Sequence, residues 1–180
     1  MDGTDPTTDP AGAGHGDPDF VGEVMDRWRA ERPDLDVAPQ GVVARLHRLA
    51  ARLTEELVAV YAEHGLGEGE FDLLATLRRS GAPYELTPGV LAASTMVSSG
   101  AITKRVDRCV RQGWVTRRVD DRDGRGRVVA LTDAGRDLID RAFTAHIANE
   151  HRLLTGLTQE QRDQLAGLLE TWGRALEAAD

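Results

Sequence analysis

The hydrophobic positions along the chain repeat mostly at the spacing of amphipathic helices. The longest stripe lies within residues 40–64, where apolar side chains follow one another at steps of three or four: Val42, Leu46, Leu49, Leu53, Leu57 and Val60. This spacing puts them on one face, so it predicts a long helix with a buried stripe. Gly65 and Gly67 follow directly and are expected to end the helix.

The amino-terminal region is predicted to hold a tail and one additional helix. Residues 1–18 contain no aliphatic side chain larger than alanine beyond Met1, so they cannot bury enough apolar area to offset the entropy of ordering. We expect a disordered acidic tail there. Asp17 and Pro18 form an N-cap and first-turn pair, which predicts a helix within residues 19–33.

The middle of the chain has the element order of a winged helix-turn-helix. The predicted elements are three helices and a two-stranded hairpin, at residues 68–79, 88–93, 98–112 and 114–131. The predicted fold class is therefore mainly α with a small β-wing. Residues 68–135 are expected to form the winged helix-turn-helix DNA-binding domain.

Long helices flank this domain on both sides. Thr132 and Thr158 are predicted N-caps of two carboxy-terminal helices within residues 136–178, and the helix at 40–64 precedes the domain. Their apolar stripes exceed what one small winged core can cover. We therefore expect dimerisation helices that bury their stripes against a second copy in a twofold dimer. The alternative is that these helices pack only within one chain.

Charge separates one region from the rest of the chain. Residues 94–136 carry ten Lys or Arg against five Asp, a local net charge of +5, whereas the 180-residue chain has a net charge of −8. A basic region in an acidic protein is the electrostatic footprint of a nucleic-acid face. The overall acidity does not oppose this, because distant exposed charges are screened beyond about 10 Å.

The helix at residues 98–112 is the expected reader of DNA bases. Its inward side is predicted to consist of Ile102, Val106, Cys109 and Val110. Its candidates for DNA contact are the outward residues Ser98, Ser99, Thr103, Lys104, Arg108 and Arg111. Small hydroxyl side chains near its start let the helix approach base edges, and Lys104 can reach guanine or a phosphate. Arg108 and Arg111 lie further along, where contact with backbone phosphate is expected.

The tip of the hairpin supplies the rest of the predicted DNA-binding surface. Its candidates are Arg122, Arg125 and Arg127. A narrow minor groove concentrates negative potential and favours an inserted arginine. Because the aspartates of the same turn would repel phosphate, we hypothesise that Asp123 pairs with Arg125 while Arg122 or Arg127 reaches the groove.

Several other functions find no support in the residues. Cys109 is the single cysteine, which rules out a disulfide framework or a Cys-rich zinc module within the chain and suits a reducing cytoplasm. The histidines lack metal-binding spacing, and no catalytic set has supporting context. We expect no transmembrane helix, signal peptide, cofactor, metal site, catalytic residue or enzyme activity.

The winged region resembles the MarR family of bacterial transcription regulators. The matching segments are Ser98 to Arg108, Gly113 to Val115, Asp120 to Arg125 and Val128 to Gly135. The resemblance covers about residues 42–176. It implies an obligate dimer with interlocking amino- and carboxy-terminal helices. It also implies a pseudo-palindromic DNA site and a repressor that a small ligand releases.

An added amino-terminal helix with a tryptophan is similar to the urate-responsive branch of that family. By this resemblance the ligand-binding residues are Trp28, Asp72, Arg105 and one of Arg117 and Arg118. Tryptophan offers a flat face to a purine, and arginine binds an anionic oxygen. An Asp72–Arg105 pair would tie the scaffold to the reading helix, so an anion competing for Arg105 would move that helix. The alternative is a tryptophan that anchors its own helix and a purely structural pair.

A second function class is a winged-helix protein-interaction module without DNA binding. Such a module need not keep the serines, Lys104 and the wing arginines together. Their joint presence favours a sequence-specific regulator that binds double-stranded DNA as a homodimer in the cytoplasm.

Overall fold

The structure is a computed structural model that describes residues 19–95, 102–119 and 127–179. The described elements, in chain order, are α1 (Phe20–Glu31), α2 (Gln40–Glu63), α3 (Glu68–Arg79), β1 (Glu85–Leu86), α4 (Pro88–Ser94), α5 (Ile102–Arg111), β2 (Val115–Val119), β3 (Arg127–Leu131), α6 (Asp133–Leu153) and α7 (Gln159–Glu177). The expected tail at residues 1–18 lies outside the described residues. The chain divides into two compact units, one ending at Arg52 and one beginning at Leu53.

The first unit contains α1 and the beginning of α2. The Asp19 carboxylate, and not that of Asp17 as the sequence predicts, caps α1 by accepting a hydrogen bond from the Gly22 amide at 2.9 Å. It also accepts two hydrogen bonds from the Arg45 guanidinium of α2, at 2.6 and 3.0 Å. The bonds from Arg45, and then that from Gly22, lower the pKa of Asp19 from its usual value. Val21 and Met25 supply the buried side of α1.

Helix α3 runs through the core of the second unit. Its side chains Leu73, Leu74 and Leu77 have no exposed surface and belong to one buried cluster that includes residues of α4, α5, β3 and α6. Leu91 and Ile139 are equally buried members of that cluster. Helix α3 therefore packs against both the helix-turn-helix and α6.

The wing is the outer part of a three-stranded antiparallel sheet with strand order β1-β3-β2. In the β2–β3 hairpin, Val115 is paired with Leu131 and Val119 with Arg127. Strand β1 adds only the pairs Glu85–Ala130 and Leu86–Val129. Strand β1 is not predicted from the sequence, because two residues are too few to show an alternating pattern.

Helix α6 begins against the turn that leads into the wing. Its N-cap Thr132 accepts a hydrogen bond from the Gly135 amide at 3.0 Å and donates one to the Gly113 carbonyl at 2.8 Å. A Cβ on Gly135 would lie 2.8 Å from the carbonyl carbon of Trp114, so only glycine fits there. Gly113 has a φ of +73°, the left-handed conformation that favours glycine. These contacts fix the direction in which the hairpin leaves α5.

One expectation about burial is wrong, and a second, which needs a partner chain, is not tested by the single chain. Val110 is 38% exposed, because the rotation of about 100° per residue carries it away from the buried line through Val106 and Cys109. The stripe of α2 is also largely exposed, with Val42 at 60% and Leu49 at 57%. Helix α7 has a similar exposed row, formed by Leu165, Leu168, Leu169 and Leu176.

Candidate nucleic-acid interface

Helices α4 and α5 supply the two helices of the helix-turn-helix. Thr87 caps α4 by accepting a hydrogen bond from the Val90 amide at 3.4 Å, and Pro88 occupies the first turn, where a missing amide hydrogen costs nothing. Leu91 of α4 and Val106 and Cys109 of α5 enter the core around α3. The opposite side of α5 is therefore left facing outward.

The outward side of α5 is basic and hydroxyl-bearing. Thr103, Lys104, Arg108 and Arg111 are all exposed, as direct DNA contact requires. Arg127 is exposed at the beginning of β3. The other candidates, Ser98, Ser99, Arg122 and Arg125, lie outside the described residues, as does the hypothesised Asp123–Arg125 pair. The DNA-contact assignments stay predictions.

Arg108 has a carboxylate partner that the sequence alone does not reveal. Its Nε lies 3.5 Å from the Oε1 atom of Glu70, a nearly buried residue in the first turn of α3. The other oxygen of Glu70 accepts a hydrogen bond from the Gly67 amide at 3.0 Å, which fixes the carboxylate in place. Arg108 is thus tied to α3 in the chain, and a phosphate would have to compete with Glu70 for it.

The two consecutive arginines of β2 point to opposite faces of the sheet, as neighbouring strand residues do. Arg117 donates a 2.5 Å hydrogen bond to Asp107 of α5 and thereby connects the wing to this helix, the one expected to read DNA bases. Arg118 forms an ion pair with Glu85 of β1 instead. The sequence could not separate these two arginines, because their partners are ten and thirty-three residues away.

Arg105 lies against the start of α3. Its Cζ is 2.9 Å from the position that a Cβ on Gly69 would take. The guanidinium can therefore pass over α3 at this point only because Gly69 has no side chain. Gly69 is one helical turn from Asp72, which places Arg105 on the side of α3 that the predicted Asp72–Arg105 pair requires. That pair stays a prediction.

Asp72 is nearly buried and faces a cavity. Its Oδ1 lies 3.9 Å from the Arg79 guanidinium and 3.5 Å from the Thr76 hydroxyl. Trp28, in the first unit, is 47% exposed and lies with Val24 along one side of α1. Half of its surface is therefore available to a ligand or a partner.

Cys109 is buried in α5, with no exposed surface. Burial, and then the charge of Glu70, raises the pKa of its thiol to about 12, although Arg108 acts in the opposite direction. A thiol of this kind behaves as a small apolar side chain.

No helix in residues 19–95, 102–119 or 127–179 is both long and apolar enough to cross a membrane. Within the same ranges, no three His, Cys, Asp or Glu side chains come together as a metal-binding group.

A short helix, an exposed basic helix packed behind it and an antiparallel hairpin define a winged helix-turn-helix DNA-binding protein. The chain belongs to the MarR family, whose family model matches residues 64–126. The HTH-type transcriptional regulator PecS of Dickeya dadantii (strain 3937) is 38% identical over 149 residues, which cover 83% of this chain and 90% of PecS. Within the family, the chain falls in the PecS-like branch.

Solved structures agree with this assignment. The mutant MarR C80S from E. coli complexed with operator DNA is 25% identical, with a TM-score of 0.64 over 76% of this chain and 98% of that one. Sco3205 from Streptomyces coelicolor, in complex with DNA, has the same fold at 24% identity, with a TM-score of 0.69 over 79% of this chain and 93% of that one. The protein is therefore a DNA-binding transcription regulator and not an enzyme.

Proposed function

We propose that the protein is a homodimeric repressor, acting in the cytoplasm, that releases a pseudo-palindromic operator when a small anionic ligand binds. Urate or a related purine is the proposed ligand. The observation that carries the proposal is the exposed basic side of α5, beside a wing whose Arg117 holds Asp107 of that helix. Ser98, Ser99, Thr103 and Lys104 are proposed to meet DNA in the major groove, and Arg108 and Arg111 to contact backbone phosphate. The wing arginines Arg122, Arg125 and Arg127 complete the proposed surface, with Arg122 or Arg127 reaching the adjacent minor groove.

The dimer is proposed to form through the helices at residues 40–64 and 136–178. The exposed apolar row of α2 and the exposed leucines of α7 are the surfaces that a second copy would cover. A twofold dimer presents two reading helices about one turn of DNA apart, so it requires a pseudo-palindromic site.

The ligand response is proposed to depend on Arg105. This side chain lies between α3 and the reading helix, so an anion that binds its guanidinium would change how the two helices pack. We propose Arg117 as the second basic residue, because it contacts α5, whereas Arg118 is engaged with Glu85. Trp28 is proposed to offer its exposed indole face to the purine ring.

The test is a mobility-shift titration on the DNA upstream of the protein's own gene, with and without urate. The full-length protein is expected to bind as a dimer and to release the DNA as urate is added. Arg105→Ala and Trp28→Ala are expected to bind the DNA and to ignore urate. Arg141→Ala, which removes an exposed arginine of α6, is the control and should respond as the wild type. Failure to shift this DNA or selected random duplexes at low salt would refute the operator claim, and release of Trp28→Ala by urate would refute the ligand site.

A further inference from the structure

A row of side-chain contacts joins helix α6 to the loop between α3 and β1. The Arg78 guanidinium, in the last turn of α3, donates hydrogen bonds of 2.8 and 3.3 Å to the two carboxylate oxygens of Asp140 in α6. The same guanidinium lies over the ring of Tyr84, with its Cζ 4.9 Å from the ring centroid. A guanidinium at this distance is attracted to the face of an aromatic ring. Arg78 therefore holds Tyr84 close to α6.

Tyr84 connects this contact to the strands of the wing. Its φ is +61°, in the left-handed region that an aromatic residue rarely adopts. Its amide donates a 2.7 Å hydrogen bond to the Gly81 carbonyl, and its carbonyl accepts one of 3.1 Å from the amide of Leu131, the last residue of β3. A residue persists in such a conformation only when the contacts around it fix it, and residues of this kind are frequent at functional sites.

An ion pair continues the row across the sheet. The carboxylate of Glu85 in β1 binds the guanidinium of Arg118 in β2, the strand on the other side of β3. Arg118 is paired with Val128 and Glu85 with Ala130, so these residues share one face of the sheet and the ion pair crosses β3. Arg117, on the opposite face, contacts α5. The wing is thus held from both of its faces.

We propose that four side chains hold the wing at a fixed angle to α6 and thereby set where the wing meets DNA. This wing support consists of Arg78, Tyr84, Glu85 and Arg118. Its members are positioning residues, which act through the wing and not by touching DNA. Because α6 is one of the proposed dimerisation helices, the wing support also sets the separation of the two wings in a dimer. The inference deepens the proposed operator binding and rests on it, but it does not depend on the ligand.

A double-mutant cycle tests the proposal, with operator affinity measured by fluorescence anisotropy. Arg127→Ala removes an exposed arginine of the wing. Tyr84→Asn removes the ring that Arg78 contacts and supplies a residue that tolerates a positive φ. Arg127→Ala is expected to weaken binding at least fivefold in the wild type, but less than twofold in the Tyr84→Asn protein, whose wing is no longer positioned at the groove. Residues that act independently would give equal factors.

Glu85→Gln is a second variant of the wing support. It removes the charge that binds Arg118, so it should reduce the effect of Arg127→Ala in the same way. Reversal of the pair, Glu85→Arg with Arg118→Glu, is expected to restore the full effect, which a protein that had merely lost stability would not show. Glu170→Gln changes an exposed carboxylate of α7 and is the matched control, which should leave the effect of Arg127→Ala as in the wild type.

The position of the wing can also be measured without DNA. A spin label at Val119→Cys, at the exposed end of β2, reports the distance between the two wings of a dimer by double electron-electron resonance, since Cys109 is buried. The wild-type background is expected to give a narrow distance distribution, and the Tyr84→Asn background one at least twice as wide. Equal widths would overturn the proposal.

The outcomes of the cycle separate this inference from the proposed function. If Arg127→Ala weakens binding by the same factor in the wild type, in Tyr84→Asn and in Glu85→Gln, the inference is wrong and the wing contact with DNA stands. If Arg127→Ala binds the operator as tightly as the wild type, the wing contact of the proposed function is refuted and the inference with it.

Discussion

The arginines of the DNA-binding region differ in the partners that their guanidinium groups contact. Arg108, Arg117 and Arg118 have carboxylate partners inside the chain, whereas the sequence suggests them only as contacts for DNA or for a ligand. Counting charges along the chain locates the basic region correctly. It cannot show these pairs, because each partner comes from another element of the fold. Glu70 is the clearest case, since its segment contains no sign of the contact with Arg108, which lies in another helix.

Replacing Glu70 by glutamine should release Arg108 towards DNA. The amide oxygen of Gln can still accept the hydrogen bond from Gly67, but the charge that attracts Arg108 is lost. We expect the plot of log K against log salt for operator binding, measured by fluorescence anisotropy, to become steeper by about 0.9, one additional phosphate contact. Glu170→Gln is the control. A slope that stays the same or becomes shallower would show that Glu70 does not compete with phosphate.

The Cys109 thiol should react slowly in the folded protein. The thiolate is the reactive form, and a pKa of about 12 leaves very little of it near pH 8. We expect the thiol to react with a disulfide reagent at least about 100-fold more slowly in buffer than in denaturing urea. Peroxide should leave operator affinity unchanged over the same period. Similar rates in buffer and urea would indicate an accessible thiol and reopen the possibility of redox sensing.

At the scale of elements, helix prediction succeeds where caps and apolar spacing agree. The bounds of α3 match the sequence analysis, and Thr132 and Thr158 are the observed N-caps of α6 and α7. Strand β1 was missed because its ordering comes from pairing with β3, which is distant in sequence. The exposure of Val110 was not predicted, because an apolar residue next to Cys109 fits the helical spacing even when it lies at the edge of the buried face.

Gly135 is expected to be essential for the junction between α6 and the wing. An alanine Cβ there would meet the Trp114 backbone, which cannot move aside as a flexible side chain would. We predict that Gly135→Ala lowers the free energy of unfolding by about 1–3 kcal/mol or more in urea denaturation. Gly167→Ala, in α7, is the matched control because nothing lies within 4 Å of the added methyl group. A loss for Gly135→Ala no larger than the change for Gly167→Ala would contradict this packing.

At the scale of the whole molecule, the sequence predicts both the DNA-binding class and a need for a partner. The helical stripes are visible in sequence because they are periodic. The sequence does not show which part of the α2 stripe is buried within the chain. The apolar periodicity is the same in the exposed part of α2 and near Tyr61, where the helix enters the core. The cavity beside Asp72 was also missed, because Tyr61, Phe71, Phe143 and His146 lie in three different helices.

A charge placed in the exposed row of α7 should prevent dimer formation. Leu168 is 69% exposed in the single chain, so Leu168→Glu is expected to fold normally and to sediment as a monomer. The wild type is expected to sediment as a dimer. Leu35→Glu changes an exposed leucine outside the helices and is the control. A Leu168→Glu protein that remains dimeric would exclude this row from the interface.

The central claim is that the outward side of α5 contacts the operator, and its most direct test is the salt dependence of operator binding. We would compare the wild type with Lys104→Ala/Arg111→Ala, which removes two exposed cations of α5, and with Arg141→Ala/Arg174→Ala, which removes two exposed cations elsewhere. The α5 variant should bind at least tenfold more weakly, with a slope shallower by up to about 1.8, while the other variant matches the wild type. Equal affinity and equal slope for all three proteins would contradict the claim.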